Sequence, residues 1–378
     1  MIDSLAFLDA LKKKGTSYFV GVPDSLLQNF CNAICNVTES SRHIIAVNEG
    51  AAVGIAAGLE LANNQTPLVY MQNSGLGNAV NPLVSLCHEK VYSIPLLLMI
   101  GWRGEPGMHD EPQHVAMGSI TKSLLSELGI KFFQLDNQTP DDARSVLEDA
   151  YKTMRESQSP VALLVKKNTF SEVVLKNIQK ESQYRMLREE VVNLLLEVIS
   201  KDAIIIATTG KLSRELFELR EKRGEEHCKD FLTVGSMGYA SQIAFGLAKA
   251  QPNRRIYCLD GDGAALMHMG GMATIGQHKQ SNLTHIIFNN GVHESVGGQT
   301  TAGFDVSFCS VAKSVGYASS TQVEDRTSVI KALKDSDTKS GPHLIEIRIA
   351  AGSRNDLGRP SIQPAENKKT LKQFLHSR

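Results

Sequence analysis

The segment from residue 256 to residue 299 constrains the fold of this chain more than any other. An apolar run at 256–259 ends in the turn DGDGA at 260–264, and a second apolar run at 284–288 ends in NNG at 289–291. A helix-length stretch lies between them, from about residue 265 to 278. A right-handed crossover between adjacent parallel strands places both turns at the carboxyl edge of one sheet. We therefore expect Asp262 and Asn290 to lie close together.

The residue types in these two turns favour a metal ion and a phosphate group. A carboxylate, an amide oxygen and nearby backbone carbonyls are hard oxygen ligands for Mg²⁺, which keeps further positions for water and phosphate. Glycines let a backbone approach a diphosphate, and the start of the following helix supplies free N–H groups. Alone, Asp262 also fits a helix cap, and Asn289-Asn290 an ordinary turn. Both turns together, each after its own apolar strand, favour the metal site.

The remainder of the chain alternates apolar runs with helical patterns, which predicts an α/β fold. The first half has six apolar runs, at 17–20, 44–47, 66–71, 94–100, 130–135 and 161–165. The second half has strands near 203–207, 230–234, 256–260, 284–288 and 344–349. Helices are expected at 3–14, 51–62, 185–200 and 366–376. We predict two doubly wound parallel-sheet domains, at 1–168 and 185–378, joined by a polar linker at 169–184.

Charge and cysteine content exclude several other classes of protein. The chain has 40 basic and 40 acidic residues among 378, so neither nucleic acid nor an anionic membrane is the expected partner. The six cysteines lack zinc-site spacing and suit buried thiols in a reducing compartment. The start of the chain lacks the apolar core of a signal peptide, and no apolar run has the length of a membrane span. A cytoplasmic location is expected. Neither half has a G-x-G-x-x-G motif after its first strand, so the pattern is not a dinucleotide-binding fingerprint.

The GDG turn, the crossover and the NN turn together resemble the signature of thiamine-diphosphate enzymes. The resemblance implies thiamine diphosphate and Mg²⁺ as cofactors, with one domain holding the pyrimidine ring and the other the diphosphate. The family's metal ligands correspond to Asp262, Asn290 and the carbonyl of Val292. The expected diphosphate contacts are Gly261, Asp262, Gly263, Ala264, Thr209, Gly210 and Lys211.

Two further segments correspond to ring-binding elements of that family. In GSMG at 235–238, Met237 would force the two rings of the cofactor together, and the carbonyl of Gly235 would accept from its amino group. Packing in the core is the simpler interpretation of Met237. Glu49 ends a strand and opens a small-residue helix, as does the glutamate that activates the pyrimidine in the family. Taken alone, Glu49 is a helix-start carboxylate that interacts with the helix dipole.

Five longer strings narrow the resemblance to the phosphonopyruvate decarboxylases, of which the sulfopyruvate decarboxylases are close cousins. These strings are GVPDS at 21–25, QNSGLG at 72–77, GWRG at 101–104, DEPQH at 110–114 and NNGVHESVGGQ at 289–299. The resemblance implies decarboxylation of phosphonopyruvate to phosphonoacetaldehyde and carbon dioxide. It also implies a homodimer or higher homo-oligomer, because the family assembles its sites across subunits. Unlike larger decarboxylases, this chain has no room for a middle domain.

Several polar residues are candidates for substrate binding and proton transfer. Arg354 and Arg359, in the loop after the last strand, are candidate phosphonate ligands because a guanidinium pairs well with such anions. Solvated surface charge is the alternative for both. Candidates for proton relay and carboxylate orientation are Asp24, Ser25, Asn73, His109, His114 and His293, with Ser25 also expected at the substrate and Asn73 at cofactor and substrate. Asp24 and Ser25 also fit the N-cap of a helix.

Other functions remain open at this point. A thiamine-dependent 2-oxoacid oxidoreductase would need an iron–sulfur or flavin partner, and no cysteine cluster here suits an iron–sulfur cluster. A carboligase differs only in the molecule that receives the activated carbon. A non-catalytic descendant would be expected to have lost Glu49 or Asp262, and both are present.

Overall fold

Two six-stranded parallel sheets organise the chain, one in each half. The computed structural model of the protein describes residues 1–63, 65–137, 139–176 and 182–376. Its contacts define two units: unit 1 comprises Met1–Ile178 with Val296–Gln299, and unit 2 comprises Gln179–Ser295 with Thr300–Arg378. Each unit has a parallel sheet with helices, so the predicted fold class is confirmed.

Unit 1 has the strand order β2-β1-β3-β4-β6-β5, with every pair parallel. Strands β4 and β6 are buried throughout, as expected for apolar runs covered on both faces. The strands are β1 (Phe19–Gly21), β2 (His43–Ile45), β3 (Leu68–Gln72), β4 (Leu97–Gly101), β5 (Lys131–Leu135) and β6 (Val161–Val165). The helices are α1 (Ser4–Lys13), α2 (Gln28–Val37), α3 (Glu49–Asn63), α4 (Leu76–Pro82), α5 (Pro112–Glu127) and α6 (Pro140–Ser157).

Unit 2 repeats this topology with the order β11-β12-β10-β9-β7-β8. Its strands are β7 (Ile204–Ala207), β8 (Asp230–Leu232), β9 (Ile256–Gly261), β10 (Leu283–Asn289), β11 (Ser319–Val323) and β12 (His343–Arg348). Its helices are α7 (Arg188–Val198), α8 (Lys211–Arg223), α9 (Ala240–Ala250), α10 (Asp262–Met267), α11 (Gly271–His278), α12 (Phe308–Val315), α13 (Arg326–Thr338) and α14 (Pro364–His376). Among the described helices, none combines the length and apolar composition needed to cross a bilayer.

The shared topology gives each sheet a point where the connections diverge to opposite sides, between β1 and β3 in unit 1 and between β7 and β9 in unit 2. Ligands of open α/β sheets bind outside the carboxyl ends of the strands at such points. The turns after these strands carry Asp24, Ser25, Asn73, Gly210 and Asp262, all singled out from the sequence.

The structure differs from the sequence prediction at two elements of unit 2. Strand β11 was not predicted, because its sequence SSTQV is polar and lacks alternation; it is a mostly exposed edge strand that pairs only with β12 among the described strands. The single helix expected at 265–278 is two helices, α10 and α11, separated at residues 268–270. The second begins at Gly271, where a Cβ would lie 2.9 Å from the amide carbon of Gln242.

The predicted linker at 169–184 lies partly outside the described residues, because 177–181 are not described. Its first part packs on α2. Asn29 donates to the carbonyl of Phe170 at 3.3 Å, and Asn32 donates to that of Val173 at 2.8 Å. The side-chain amide of Asn36 likewise donates to the carbonyl of Val174 at 2.8 Å. Side-chain amides of α2 therefore hold this part of the segment within unit 1.

Candidate active site

Asp262 and Asn290 lie side by side at the carboxyl edge of the second sheet, as the crossover predicts. Strands β9 and β10 are parallel neighbours, Asp262 opens α10 directly after β9, and Asn290 follows β10. Asp262 is only 3% exposed, and its carboxylate accepts from the backbone N–H groups of Gly263 and Asn290. The hydroxyl of Thr301 donates to Oδ2 of Asp262.

The electrostatics of Asp262 suit a divalent cation. Burial raises the pKa of its carboxyl group to about 6, and the hydrogen bonds that oppose this shift do not cancel it. The side-chain Oδ1 of Asn290 accepts from the N–H of Val292 at 3.2 Å, which brings a second oxygen donor and the Val292 backbone into the same turn. These donors are of the type that Mg²⁺ prefers, and the ion would neutralise the buried carboxylate. The residues present therefore fit the metal.

Glycines leave space beside this turn. A Cβ on Gly261 would meet no atom within 4 Å. A Cβ on Gly263 would lie 3.1 Å from Cε1 of His293 and 3.5 Å from Cε of Met237, so both side chains flank the turn. Burial lowers the pKa of His293 to about 4, which makes its imidazole neutral at physiological pH. Met237 is half-buried between Ser236 and Gly238, whose φ values of 53° and 86° lie in the left-handed region.

The predicted diphosphate segment at 209–211 lies at the carboxyl end of β7. Gly210 precedes α8 with a φ of 98°, a value that favours glycine. The ammonium group of Lys211 donates to Oε1 of Glu294 at 3.0 Å, so its charge is engaged within unit 2.

Glu294 is a functional candidate that the sequence did not single out. Besides Lys211, it accepts from Arg188 Nη1 at 2.8 Å and from Asn290 Nδ2 at 3.0 Å. Burial alone would raise the pKa of Glu294, but the charge of Arg188 and the hydrogen bonds from Arg188 and Lys211 outweigh it, so that pKa lies below its usual value. No local motif signals this, because Arg188 is distant in the chain.

In unit 1, Glu49 opens α3 and is 6% exposed. Its Oε2 accepts from Nδ2 of Asn78 at 2.7 Å. A Cβ on Gly75 would lie 2.6 Å from the carboxylate carbon of Glu49, so the QNSGLG turn after β3 provides the room that this side chain needs. The carboxylate of Glu49 is thus held by a hydrogen bond and mostly enclosed, and its contact with a ring nitrogen stays a prediction.

Asp24 is buried in the turn after β1, and its two carboxylate oxygens differ in their hydrogen bonds. Oδ2 accepts from the N–H of Leu27 at 3.3 Å, whereas Oδ1 has no hydrogen-bond partner within the described parts of the chain. Burial raises the pKa of Asp24 to about 6 despite opposing backbone hydrogen bonds and the charge of Arg103. A carboxyl group of this kind exchanges a proton near neutral pH.

Ser25 and Asn73 converge on Arg103, another residue that the sequence did not single out. Arg103 donates from Nη1 to Ser25 Oγ at 2.9 Å and forms an ion pair with Asp110. Asn73 is fully buried; its amide nitrogen donates to the carbonyl of Arg103 at 2.8 Å and to Thr121 Oγ1 at 2.9 Å. Burial raises the pKa of Asp110, but hydrogen bonds from Arg103 and two backbone amides hold that pKa well below its usual range.

The remaining candidates are two histidines near Asp110 and two arginines in the loop after β12. His109 is exposed, and His114 is half-buried at the start of α5. Arg354 is paired with the carboxylates of Glu189, Glu218 and Asp356. Arg359 is exposed. The sequence could not reveal the partners of Arg354 from α7 and α8, because they lie far from it along the chain.

Comparison with known proteins identifies both halves. Residues 4–124 match the family described as thiamine pyrophosphate enzyme, N-terminal TPP binding domain. Residues 208–347 match the corresponding C-terminal TPP binding domain.

Full-length relatives are also similar. A phosphonopyruvate decarboxylase of Streptomyces viridochromogenes is 33% identical over 99% of this chain and 95% of its own length. A phosphonopyruvate decarboxylase of Streptomyces hygroscopicus is 33% identical over 99% of this chain and 94% of its own length. A sulfopyruvate decarboxylase of Methanosarcina acetivorans is 25% identical over 97% of this chain and 96% of its own length.

Proposed function

The chain belongs to the thiamine pyrophosphate enzyme family and to its decarboxylases, and we propose that it converts phosphonopyruvate to phosphonoacetaldehyde and carbon dioxide. The observation that carries this proposal is the 33% identity to two phosphonopyruvate decarboxylases over 99% of the chain. Sulfopyruvate is the second candidate substrate, since a sulfopyruvate decarboxylase matches at 25% identity over nearly the same length.

When bound, thiamine diphosphate supplies the reactive carbon and the electron sink for the loss of carbon dioxide. Asp262, Asn290 and the carbonyl of Val292 would hold Mg²⁺ beside it, since buried hard oxygen donors meet there. The residues that would contact the remaining cofactor groups are Gly261, Gly263, Ala264, Thr209, Gly210, Gly235 and Met237.

Two carboxyl groups would handle protons. The carboxylate of Glu49, held by Asn78, would hydrogen-bond the pyrimidine ring. Asp24 has a pKa of about 6 and an oxygen without a protein partner among the described residues, so it would deliver the proton that completes an aldehyde product. Ser25, fixed by Arg103, would orient the substrate carboxylate.

A phosphonate dianion pairs well with a guanidinium group, and the loop after β12 carries two arginines. Three carboxylates surround the guanidinium of Arg354, which makes Arg354 a poor anchor for a dianion. Arg359, in the same loop, is exposed and stays a candidate phosphonate ligand. A cytoplasmic location fits the free thiols of all six cysteines, each of which lies in a described region. The proposal of a homo-oligomer rests on the family resemblance alone.

Substrate charge provides the test. A phosphonate has a second ionisation at about 6–7 if it resembles a phosphate ester, whereas a sulfonate stays a monoanion. We expect kcat/KM for phosphonopyruvate to rise from pH 6 to pH 8.5 relative to that for sulfopyruvate. It should exceed the values for sulfopyruvate and pyruvate at least tenfold at pH 8, because each charge-assisted contact contributes about 1.5–3 kcal/mol.

Arg359→Ala should remove most of the preference for phosphonopyruvate over sulfopyruvate. Arg354→Ala is the matched control and should change that preference less than about twofold, because Arg354 is already ion-paired with carboxylates and such surface ion pairs contribute little. A kcat/KM for sulfopyruvate equal to or above that for phosphonopyruvate would overturn the substrate assignment. Formation of a carbon–carbon bond in place of the aldehyde would assign the chain to the carboligases.

A further inference from the structure

The carboxylate of Glu294 lies between the side-chain amide of Asn290 and two cationic side chains, those of Arg188 and Lys211. Its Oε2 accepts from Asn290 Nδ2 at 3.0 Å and from Arg188 Nη1 at 2.8 Å, while Oε1 accepts from Lys211 Nζ at 3.0 Å. The Glu294 side chain is 13% exposed and that of Arg188 is 9% exposed. The contact with Asn290 is therefore shielded from competing water.

This contact determines which end of the Asn290 amide faces which neighbour. An asparagine amide carries a donor nitrogen and an acceptor oxygen of similar size, so its orientation depends on its partners. An ionised carboxylate only accepts, so it binds the NH₂ end. At the other end, Oδ1 of Asn290 accepts from the N–H of Val292 at 3.2 Å. Both contacts select the same orientation.

Glu294 is itself held from two helices. Arg188 on α7 donates from Nε and Nη2 to both oxygens of Glu215 on α8, at 2.7 and 2.8 Å, and this leaves Nη1 for Glu294. Glu215 is 1% exposed. Lys211 begins α8 and holds the other oxygen of Glu294. A chain of charge-assisted hydrogen bonds thus runs from the helices to the loop after β10.

We propose that Glu294 is a positioning residue that locks the Asn290 amide with its oxygen available to Mg²⁺. The inference rests on the metal site put forward above. Mg²⁺ binds the oxygen of an amide and not its NH₂ group, so a flipped Asn290 would turn its donor end towards the ion. Residues that orient metal ligands typically change metal affinity 10–100-fold when they are removed.

The chain offers a matched control for this role. Arg220 donates from Nε and Nη2 to Asp230 and pairs through Nη1 with Glu225 at 2.6 Å, the same arrangement as Arg188 with Glu215 and Glu294. No contact given by the structure for Glu225 involves the turns around Asp262 or Asn290. Glu225→Ala therefore removes the corresponding ion pair away from the metal turn, at a side chain that is 35% exposed where that of Glu294 is 13% exposed.

The measurement is the binding of thiamine diphosphate to the full-length apoprotein, by titration calorimetry at a series of Mg²⁺ concentrations. We expect Glu294→Ala to raise the Mg²⁺ concentration for half-maximal binding about 10–100-fold. Glu225→Ala should change it less than about twofold. Far-UV circular dichroism and thermal unfolding without Mg²⁺ verify that each variant is folded.

A double-mutant cycle separates orientation from general support of the loop. In an Asn290→Asp background both side-chain termini are oxygens, so no orientation has to be selected. There Glu294→Ala should weaken Mg²⁺ binding much less than it does in the native background, because no amide orientation is left to select and only the effect of the removed charge remains. An equal loss in both backgrounds would show that Glu294 only supports the loop. Asn290→Asp without measurable Mg²⁺ binding would also overturn the proposal.

The cycle uses no substrate, so an error in the substrate assignment would not alter its result. The Asp262→Ala variant tests the remaining possibility, which is that the proposed metal site is itself misplaced. If that change leaves the Mg²⁺ dependence intact, the metal site itself is misplaced. If it abolishes the dependence while Glu294→Ala does not weaken it, the site stands and the role of Glu294 is wrong.

Discussion

Individual residues in this protein combine burial with unbalanced charge where chemistry is proposed. Asp24 has one carboxylate oxygen without a protein partner among the residues described and a pKa raised to about 6 by burial. Asp262 has a pKa raised to about 6 for the same reason. Arg354, by contrast, is balanced by carboxylates. The raised pKa values of Asp24 and Asp262 mark these two residues as functional candidates.

Replacement of Asp24 by Asn should stabilise unit 1 above neutral pH. Because the folded pKa of Asp24 lies above its usual value of 3.8, folded protein binds more protons between about pH 4 and 6, and its stability falls as pH rises through that window. The ionised group then costs up to about 3 kcal/mol. Asp24→Asn should therefore gain about 1–3 kcal/mol of unfolding free energy at pH 8 and little at pH 4.

The buried indole of Trp102, the single tryptophan, reports on unit 1 during urea unfolding. Asp110→Asn is the contrasting variant, since Arg103 holds the pKa of that carboxyl group low, and it should lose stability at pH 8. Equal gains for Asp24→Asn at both pH values would contradict the assigned cause.

At the level of elements, the turns after β9 and β10 and the segment at 300–303 are packed closely together. Asn289 donates to the carbonyl of Gly303 at 2.6 Å and to Glu346 Oε1 at 2.8 Å. A Cβ on Gly303 would lie 2.6 Å from Oδ1 of Asn289 and closer still to Oδ2 of Asp262. Only glycine fits there without displacing one of those side chains.

Gly303→Ala should therefore weaken Mg²⁺-dependent binding of thiamine diphosphate by about tenfold or more, since it pushes against a proposed ligand. Calorimetry measures the change. Gly246→Ala is the control: it lies exposed in α9, and a Cβ there meets nothing within 4 Å. It should leave binding unchanged and raise stability by about 0.5–1 kcal/mol. Unaltered binding in Gly303→Ala would remove this segment from the site.

Local pattern predicted most elements but not the contacts that support the site. The proximity of Asp262 and Asn290 follows from strand–helix–strand spacing alone. Strand β11 escaped prediction because its pairing with β12, and not an apolar pattern, places it in the sheet. The ion pairs of Glu294 and Arg354 also escaped prediction, since their partners on α7 and α8 are remote in sequence. Long-range ion pairs leave no local signal.

At the level of the whole molecule, the two units repeat one strand order and carry different parts of the proposed chemistry. Glu49 lies in unit 1, and Asp262 lies in unit 2. The family resemblance implies that a site draws its pyrimidine-binding and diphosphate-binding parts from two protomers.

Mixed oligomers test this arrangement. Glu49→Gln and Asp262→Ala proteins should each be inactive. After exchange of subunits, half of randomly mixed dimers hold one intact site of two, so about a quarter of wild-type activity should return. Native mass spectrometry verifies exchange. Mixed dimers without activity would assign the site to a single chain.

Unit 1 is discontinuous along the chain, since it includes Val296–Gln299. There the buried Gln299 donates to Oδ1 of Asn32 at 3.0 Å. Asn32 in turn donates to Val173, so α2 is fastened by residues from two distant places in the sequence. A polypeptide that stops at residue 178 is thus an incomplete copy of unit 1. Dividing the gene there would distribute one folding unit over two translation products, and the first product would need residues 296–299 of the second to complete it.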